Sequence, residues 1–291
     1  MKKQNIILFV FLIFSNFLQS QNDLFSLIKS DKKSIFTSYT FKGTKIVNGQ
    51  SVELPAKEVL QFMIQHRFGP LNSGSYNLFG LDFAQVRFSL EYGLKEWMSV
   101  GVGRSSYSKN IDANVKIRYK RQVKGEKYFP VTILTNSAVF LKQSNQKEDY
   151  LLTNQLVFVN QFLIAKKINR SFSFQFSPTF VHYNLIDENS YLNNFNNHDH
   201  FSLGLGGRYK ITNRVSINFE NFIQLEKSAN RNVLAFGFDI ETGGHVFQLH
   251  LSNSPSMIEP IFIHNTNGDI FNGDIFFGFN ISRVFSLNAK N

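Results

Sequence analysis

The chain has 291 residues, 33 of them Phe and 10 Tyr, with one Trp and no Cys, which excludes disulfides, Cys-based metal centres and a Cys-anchored lipoprotein. Its formal charge of +10 suits nucleic acid, anionic lipid or small anions, but no dense Lys/Arg helix, zinc-ligand spacing or glycine-rich aromatic RNA-binding motif accompanies it, which argues against nucleic acid as a partner. The hydrophobic share of 43% resembles a soluble protein, yet a membrane barrel has the same modest average because its strands meet lipid only at every second residue.

Met1, Lys2 and Lys3 give a positive start, Ile6 to Leu18 is largely apolar, and Ser20 offers a small residue before Gln21. This is the order of a secretory signal peptide cleaved near Ser20, and an apolar run of about 13 residues falls short of the roughly 20 that a membrane helix needs. Residues 1–20 are therefore read as the signal and residues 21–56 as a periplasmic lead-in or a plug.

From about Lys57 onward the chain falls into segments with a two-residue period. In the first clear one, Ala84, Val86, Phe88, Leu90, Tyr92 and Leu94 share a face opposite Gln85, Arg87, Ser89, Glu91 and Gly93. Met98, Val100 and Val102 follow, then Ala113, Val115, Ile117 and Tyr119 against Asn114, Lys116, Arg118 and Lys120. Residues 129–141 and 150–165 alternate poorly and are assigned as strands by length and β-branched content. Phe172, Phe174, Phe176 and Phe180 restore the pattern, as do Phe201, Leu203 and Leu205, then Val215, Ile217 and Phe219, and finally Phe277, Phe279, Ile281 and Phe285.

A soluble sandwich also alternates. Three features favour a membrane barrel: strands long enough to span, a Phe-rich face opposed by charges that a dry core would not accept unpaired, and long polar links alternating with tight turns. The links divide residues 57–285 into about twelve strands, an even number that brings both ends to the periplasmic side. Residues 36–46 would make a thirteenth and are placed outside the wall; residues 286–291 form a tail. The expected fold is an all-β, antiparallel up-and-down transmembrane barrel in the outer membrane of a Gram-negative bacterium.

The chain also resembles an uncharacterised outer-membrane barrel family, a domain-of-unknown-function family of Bacteroidetes-type bacteria. The matching runs are "HRFG" at His66 to Gly69, "GLDFAQVRFSLEYGL" at Gly80 to Leu94, "VGVGRSS" at Val100 to Ser106, "GGRYKITNRVS" at Gly206 to Ser216, "FDIETGGHVFQLHLSNS" at Phe238 to Ser254 and "GDIFFGFNISRVF" at Gly273 to Phe285. The resemblance implies fold and location and brings no activity with it. The ending Arg283, Val284, Phe285 is similar to the aromatic signal read by the barrel-assembly machinery, except that residues 286–291 follow it.

On the face assigned to the lumen, Arg67, Arg87, Lys116, Arg118, Lys120, Arg208 and Lys210 outnumber Glu91, Asp112 and Glu220, and Gln248 joins them. Such an excess biases a pore toward anions; alternatively the charges pair across a filled interior. In an open pore, Arg87→Glu with Arg118→Glu would shift selectivity toward cations. The leading expectation is a non-enzymatic barrel that passes or binds small, anionic solutes, with outer-membrane lipid around it and no cofactor.

One alternative is a lipid acyl hydrolase. His250 and Ser252 share a strand face, and the run His250 to Asn253 is similar to that of lipid A deacylase barrels, with Glu259 as the nearest acid. Another is an anchoring or surface-binding barrel without flux. His66, on the apolar face with Leu60, Phe62 and Ile64, reads as interfacial. His182, His198 and His200 lie near one loop with Asp187, Glu188 and Asp199, but with no recognised ligand spacing no metal site is assigned.

Overall fold

A computed structural model describes residues 34–142, 151–185, 197–226 and 230–287. The signal-peptide reading of residues 1–20, Asp187, Glu188 and the end of the tail lie outside the described residues.

Twelve strands close into one antiparallel barrel. They are β2 (Val59–Pro70), β3 (Ala84–Lys95), β4 (Met98–Ser105), β5 (Asn110–Lys120), β7 (Thr132–Lys142), β8 (Leu156–Lys167), β9 (Phe172–Tyr183), β10 (Asp199–Lys210), β11 (Val215–Gln224), β12 (Val233–Thr242), β13 (His245–Ser252) and β14 (Phe276–Ser286). The remaining two, β1 (Ile35–Phe36) and β6 (Val123–Lys124), pair only with each other. Closure is made by β14 on β2, in the register Phe279 opposite His66 and Ile281 opposite Ile64. Every neighbour pair is antiparallel, so no strand edge is left open to lipid, as a hydrocarbon surrounding demands.

The end carrying the start of β2 and the finish of β14 has mostly tight turns, at 96–97, 168–171, 211–214 and 243–244. At 243–244 two glycines with φ of 43° and 104° join Thr242 to His245, backbone angles that a hairpin of this length needs and other residues resist. The opposite end carries 71–83, 143–155, 184–198 and 253–275. Two connections break the alternation, the short one at 106–109 and the longer one at 121–131, where β6 sits.

Period-two burial runs along every strand of the wall. In β2, Gln61, Gln65 and Arg67 are buried while Phe62, Ile64 and His66 between them face outward, and Phe88 is 50% exposed next to Arg87 at 3%. Outward rings meet across strands: His66 stacks on Phe279 at 4.9 Å, Phe68 on Phe277 at 5.6 Å, and Phe180 meets Phe201 at 5.1 Å.

The poor alternation of β7 and β8 has a physical cause. Their inward residues Leu134, Ala138, Phe140, Val159, Leu163 and Ala165 are themselves apolar, because they pack on apolar residues inside the barrel. Phe41, Ile46, Val47 and Val52 supply one inner cluster, and Ile258 contributes to another. The glycines of the inner face serve the same filling: a Cβ at Gly206 would lie 2.4 Å from Ile46 Cδ1.

Candidate functional site: the filled lumen and its basic mouth

The barrel is not hollow. Residues 44–51 fold into a hairpin inside it, bridged at Lys45 and Gln50, with Ile46 N–H donating to Gly49 O at 2.9 Å and Ser51 N–H to Thr44 O at 2.9 Å. Within a barrel the tip has no sheet to join, so wall side chains satisfy its backbone. The Glu220 carboxylate accepts from the N–H groups of Val47 (3.2 Å), Asn48 (3.2 Å) and Gly49 (2.9 Å). Gln248 Nε2 donates to Ile46 O at 3.1 Å, Asn280 Nδ2 to Val47 O at 3.0 Å, and Gln175 Nε2 to Gln50 O at 2.7 Å. Arg67 Nη2 donates to Asn48 Oδ1 at 2.6 Å.

From the long-loop end, the connection 253–275 turns inward and carries α1 (Glu259–His264). Phe262 packs on Phe222 at 5.4 Å, and Tyr183 Oη donates to Pro260 O at 2.9 Å. Hairpin and loop meet in the middle: Lys45 Nζ reaches Glu259 Oε1 at 2.8 Å, and Gln50 Nε2 donates to the same oxygen at 2.8 Å. The ion pair is buried on both sides and joins two segments that enter from opposite mouths.

Part of the wall charge is paired or bonded rather than solvated. Arg87 holds Asp112 through two bonds, at 2.6 and 3.2 Å, and donates to Gln65 at 2.8 Å. Lys116 lies 3.2 Å from Glu91, and Arg118 donates to Glu96 O. The expected selectivity change on Arg87→Glu with Arg118→Glu therefore does not follow, since Arg87 is enclosed by its partners and its loss breaks a buried pair. Removing one member of such a pair costs about 3–5 kcal/mol. Asp112→Ala should accordingly lower the temperature at which the folded gel form of the barrel is lost, and Asp112→Ala combined with Arg87→Met should recover most of that loss; unchanged heat resistance of the single variant would contradict the assignment.

A cavity of about 490 Å³ lies at the short-turn end. Lys42, Lys167, Arg208 and Lys210 line it with Glu53 and Glu241. Lys42 pairs with Glu241. Lys167 Nζ instead contacts Ser38 Oγ at 2.8 Å, and Arg208 donates to Ser216 Oγ at 3.0 Å and Thr40 O at 3.3 Å. Among the described residues, Lys167, Arg208 and Lys210 make no ion pair with a carboxylate, and cations outnumber carboxylates in the cavity lining four to two, so the mouth carries an excess of positive charge.

Arg67, Arg87, Glu91, Lys116, Arg118, Arg208, Glu220 and Gln248 lie on the inner face, and Arg67, Lys116, Glu220 and Gln248 bond to the hairpin. His250 and Ser252 are also inward and buried, but they are not assembled into a nucleophile and base. His250 Nε2 takes a bond from Arg67 Nη2 at 3.1 Å, Ser252 Oγ accepts from Ser254 N–H at 3.1 Å, and Glu259 is engaged by Lys45. His182 lies 2.6 Å from Asp199 near the barrel rim, while His200, on the inner face, turns away from both toward Glu226 and His264. Burial, with His200 beside it, holds the His264 imidazole down to about 3. Lys45, Asn48 and His264 have no periodicity to mark them; the Asn48-Gly49 pair, a turn dipeptide between β-forming residues, was the available signal for the hairpin.

A closed, even-stranded antiparallel barrel with an apolar outer band and a charged interior is the architecture of proteins that span bacterial outer membranes. The chain belongs to the membrane bound beta barrel domain family (DUF5777), whose profile matches residues 41–285, taking in the hairpin as well as the wall. Among solved structures it is similar to the NanC porin, with 8% identity and a TM-score of 0.50 over 77% of this chain and 98% of that one. The KdgM porin gives 8% identity and 0.44 over 78% and 99%, and the outer membrane phospholipase A from Escherichia coli 10% and 0.46 over 79% and 91%. At 8% identity the likeness to the NanC porin is one of fold. No curated relative matches the sequence.

Proposed function

We propose that this protein is a non-enzymatic gated barrel that binds small anionic solutes at its short-turn mouth and passes them when the hairpin of residues 44–51 and α1 separate. The basic cavity carries this reading: it is large enough for a small solute, and Lys167, Arg208 and Lys210 around it lack carboxylate partners within the described residues. The Lys45–Glu259 contact serves as the latch, being the place where the two inner segments touch through charge. Of residues 21–56, the stretch Thr40–Val52 acts as the plug, and β14, ending near Phe285, is the element offered to the barrel-assembly machinery. The filled lumen favours a second reading, an anchoring barrel without flux.

Conductance of the purified protein in planar bilayers separates the two. The expected result is a small current whose reversal potential under a salt gradient shows anion preference, with Lys167→Glu plus Lys210→Glu moving it toward cations. A correctly folded protein with no conductance would overturn passage and leave the barrel without flux. A current whose selectivity ignores the double substitution would overturn the assignment of the mouth.

A further inference from the structure

Three side chains from separate elements converge at the long-loop end of the lumen. His200 is the second residue of β10, Glu226 lies just past β11, and His264 is the last residue of α1. Their ligand-type atoms all lie within 4.8 Å of one another, His200 Nδ1 is 3.0 Å from Glu226 Oε2, and the two imidazole rings are 3.8 Å apart. Both histidines are nearly sealed from solvent, at 2% and 1% exposure.

His264 is the informative member. Both of its ring nitrogens are buried and neither has a hydrogen-bond partner among the described residues. A buried polar group left unsatisfied costs about 1–3 kcal/mol, and here two such atoms sit beside a second imidazole and a carboxylate. Hydrogen bonding within the trio leaves them unsatisfied, since His200 Nδ1 is the atom facing Glu226. A cation accepting the lone pair of one His264 nitrogen satisfies that atom, and the second nitrogen is left as an N–H donor.

We infer that His200, Glu226 and His264 form a binding site for a borderline divalent transition metal of the zinc class, which fastens α1 to the β10–β11 wall. Two imidazoles and one carboxylate are a recurrent zinc donor set that leaves a fourth position for water, whereas calcium and magnesium take oxygen donors. Metal–ligand bonds of about 2.0–2.2 Å require the donors to close in somewhat. Glu226 lies beyond the end of β11 and is partly exposed, so it can make that adjustment without disturbing the wall. The site lies at the opposite end from the basic mouth and does not depend on the reading of that mouth.

The test uses the full mature chain folded in detergent, stripped with a chelator and titrated with ZnCl2 by calorimetry and with CoCl2 by visible absorption. One equivalent of either metal should bind, Co²⁺ with a low-symmetry spectrum, and Zn²⁺ should slow proteolysis within the 253–275 connection. His264→Ala and His200→Ala should each weaken binding by at least ~10-fold, as losses within a metal's ligand environment do. Glu226→Gln, at the rim, serves as the variant least able to disturb folding and should weaken binding as well. His182→Ala and His198→Ala, a nearby pair outside the trio, should leave it unchanged. Absence of saturable binding to the folded barrel would overturn the inference, as would binding that survives His264→Ala and Glu226→Gln or is abolished by His182→Ala.

Discussion

Replacing Glu220 with alanine should free the lumen hairpin while leaving the barrel wall assembled. The carboxylate is the acceptor for three consecutive backbone N–H groups at the tip, and no other acceptor in the described residues replaces it. Hydrogen bonds to a charged group contribute about 1.5–3 kcal/mol each, and a donor left buried and unmatched carries its own penalty. Water entering the vacated space recovers part of this, so a net shift of about 3 kcal/mol is expected, roughly a hundredfold change in the released fraction. Because the chain has no Cys, a single Val47→Cys reporter at the buried tip can be labelled without background. The labelling rate should rise by more than tenfold in the Glu220→Ala background, together with bilayer conductance, while the heat-resistant gel form persists. Equal labelling in both backgrounds would mean that the apolar contacts of Phe41, Ile46 and Val52, and not the carboxylate, hold the hairpin in place.

The second large effect separates the two faces of the last strand. Phe279 points to lipid and stacks on His66, so Phe279→Arg puts a charge into hydrocarbon at a cost of about 2–4 kcal/mol near the midplane and should reduce the yield of assembled barrel several-fold. The two-residue period alone points Asn280 into a polar lumen, where an added Arg should be milder than at Phe279. The structure places Asn280 inward but in a filled lumen: it is 1% exposed and bonded to Val47 O and Gln248 Oε1, both at 3.0 Å, so a longer side chain has to push the hairpin aside. Asn280→Arg should instead assemble normally and displace the hairpin, giving normal heat-modifiable mobility with raised Val47→Cys labelling. Failure of Asn280→Arg to assemble, or normal yield of Phe279→Arg, would contradict the facing of β14.

The wall of this barrel was legible in the sequence because a strand's side chains alternate by geometry, so lipid on one side and protein on the other print a two-residue period into the chain. That period located Arg67, Arg87, Lys116 and Glu220 on the inner face, and link lengths supplied the strand number and the direction of most turns. What fills the interior left no such imprint. The contacts between Glu220 and residues 47–49, or Lys45 and Glu259, join positions more than 170 apart, and nothing local in either stretch specifies its partner. The same holds for the histidines: nearness in the chain grouped His200 with His182 and Asp199, yet neighbouring strand residues face opposite ways, and closure of the barrel set His200 beside Glu226 and His264. In β7 and β8 the inner contents erased the pattern itself, since an apolar plug makes an apolar inner face favourable and only the packed structure reveals which side meets lipid.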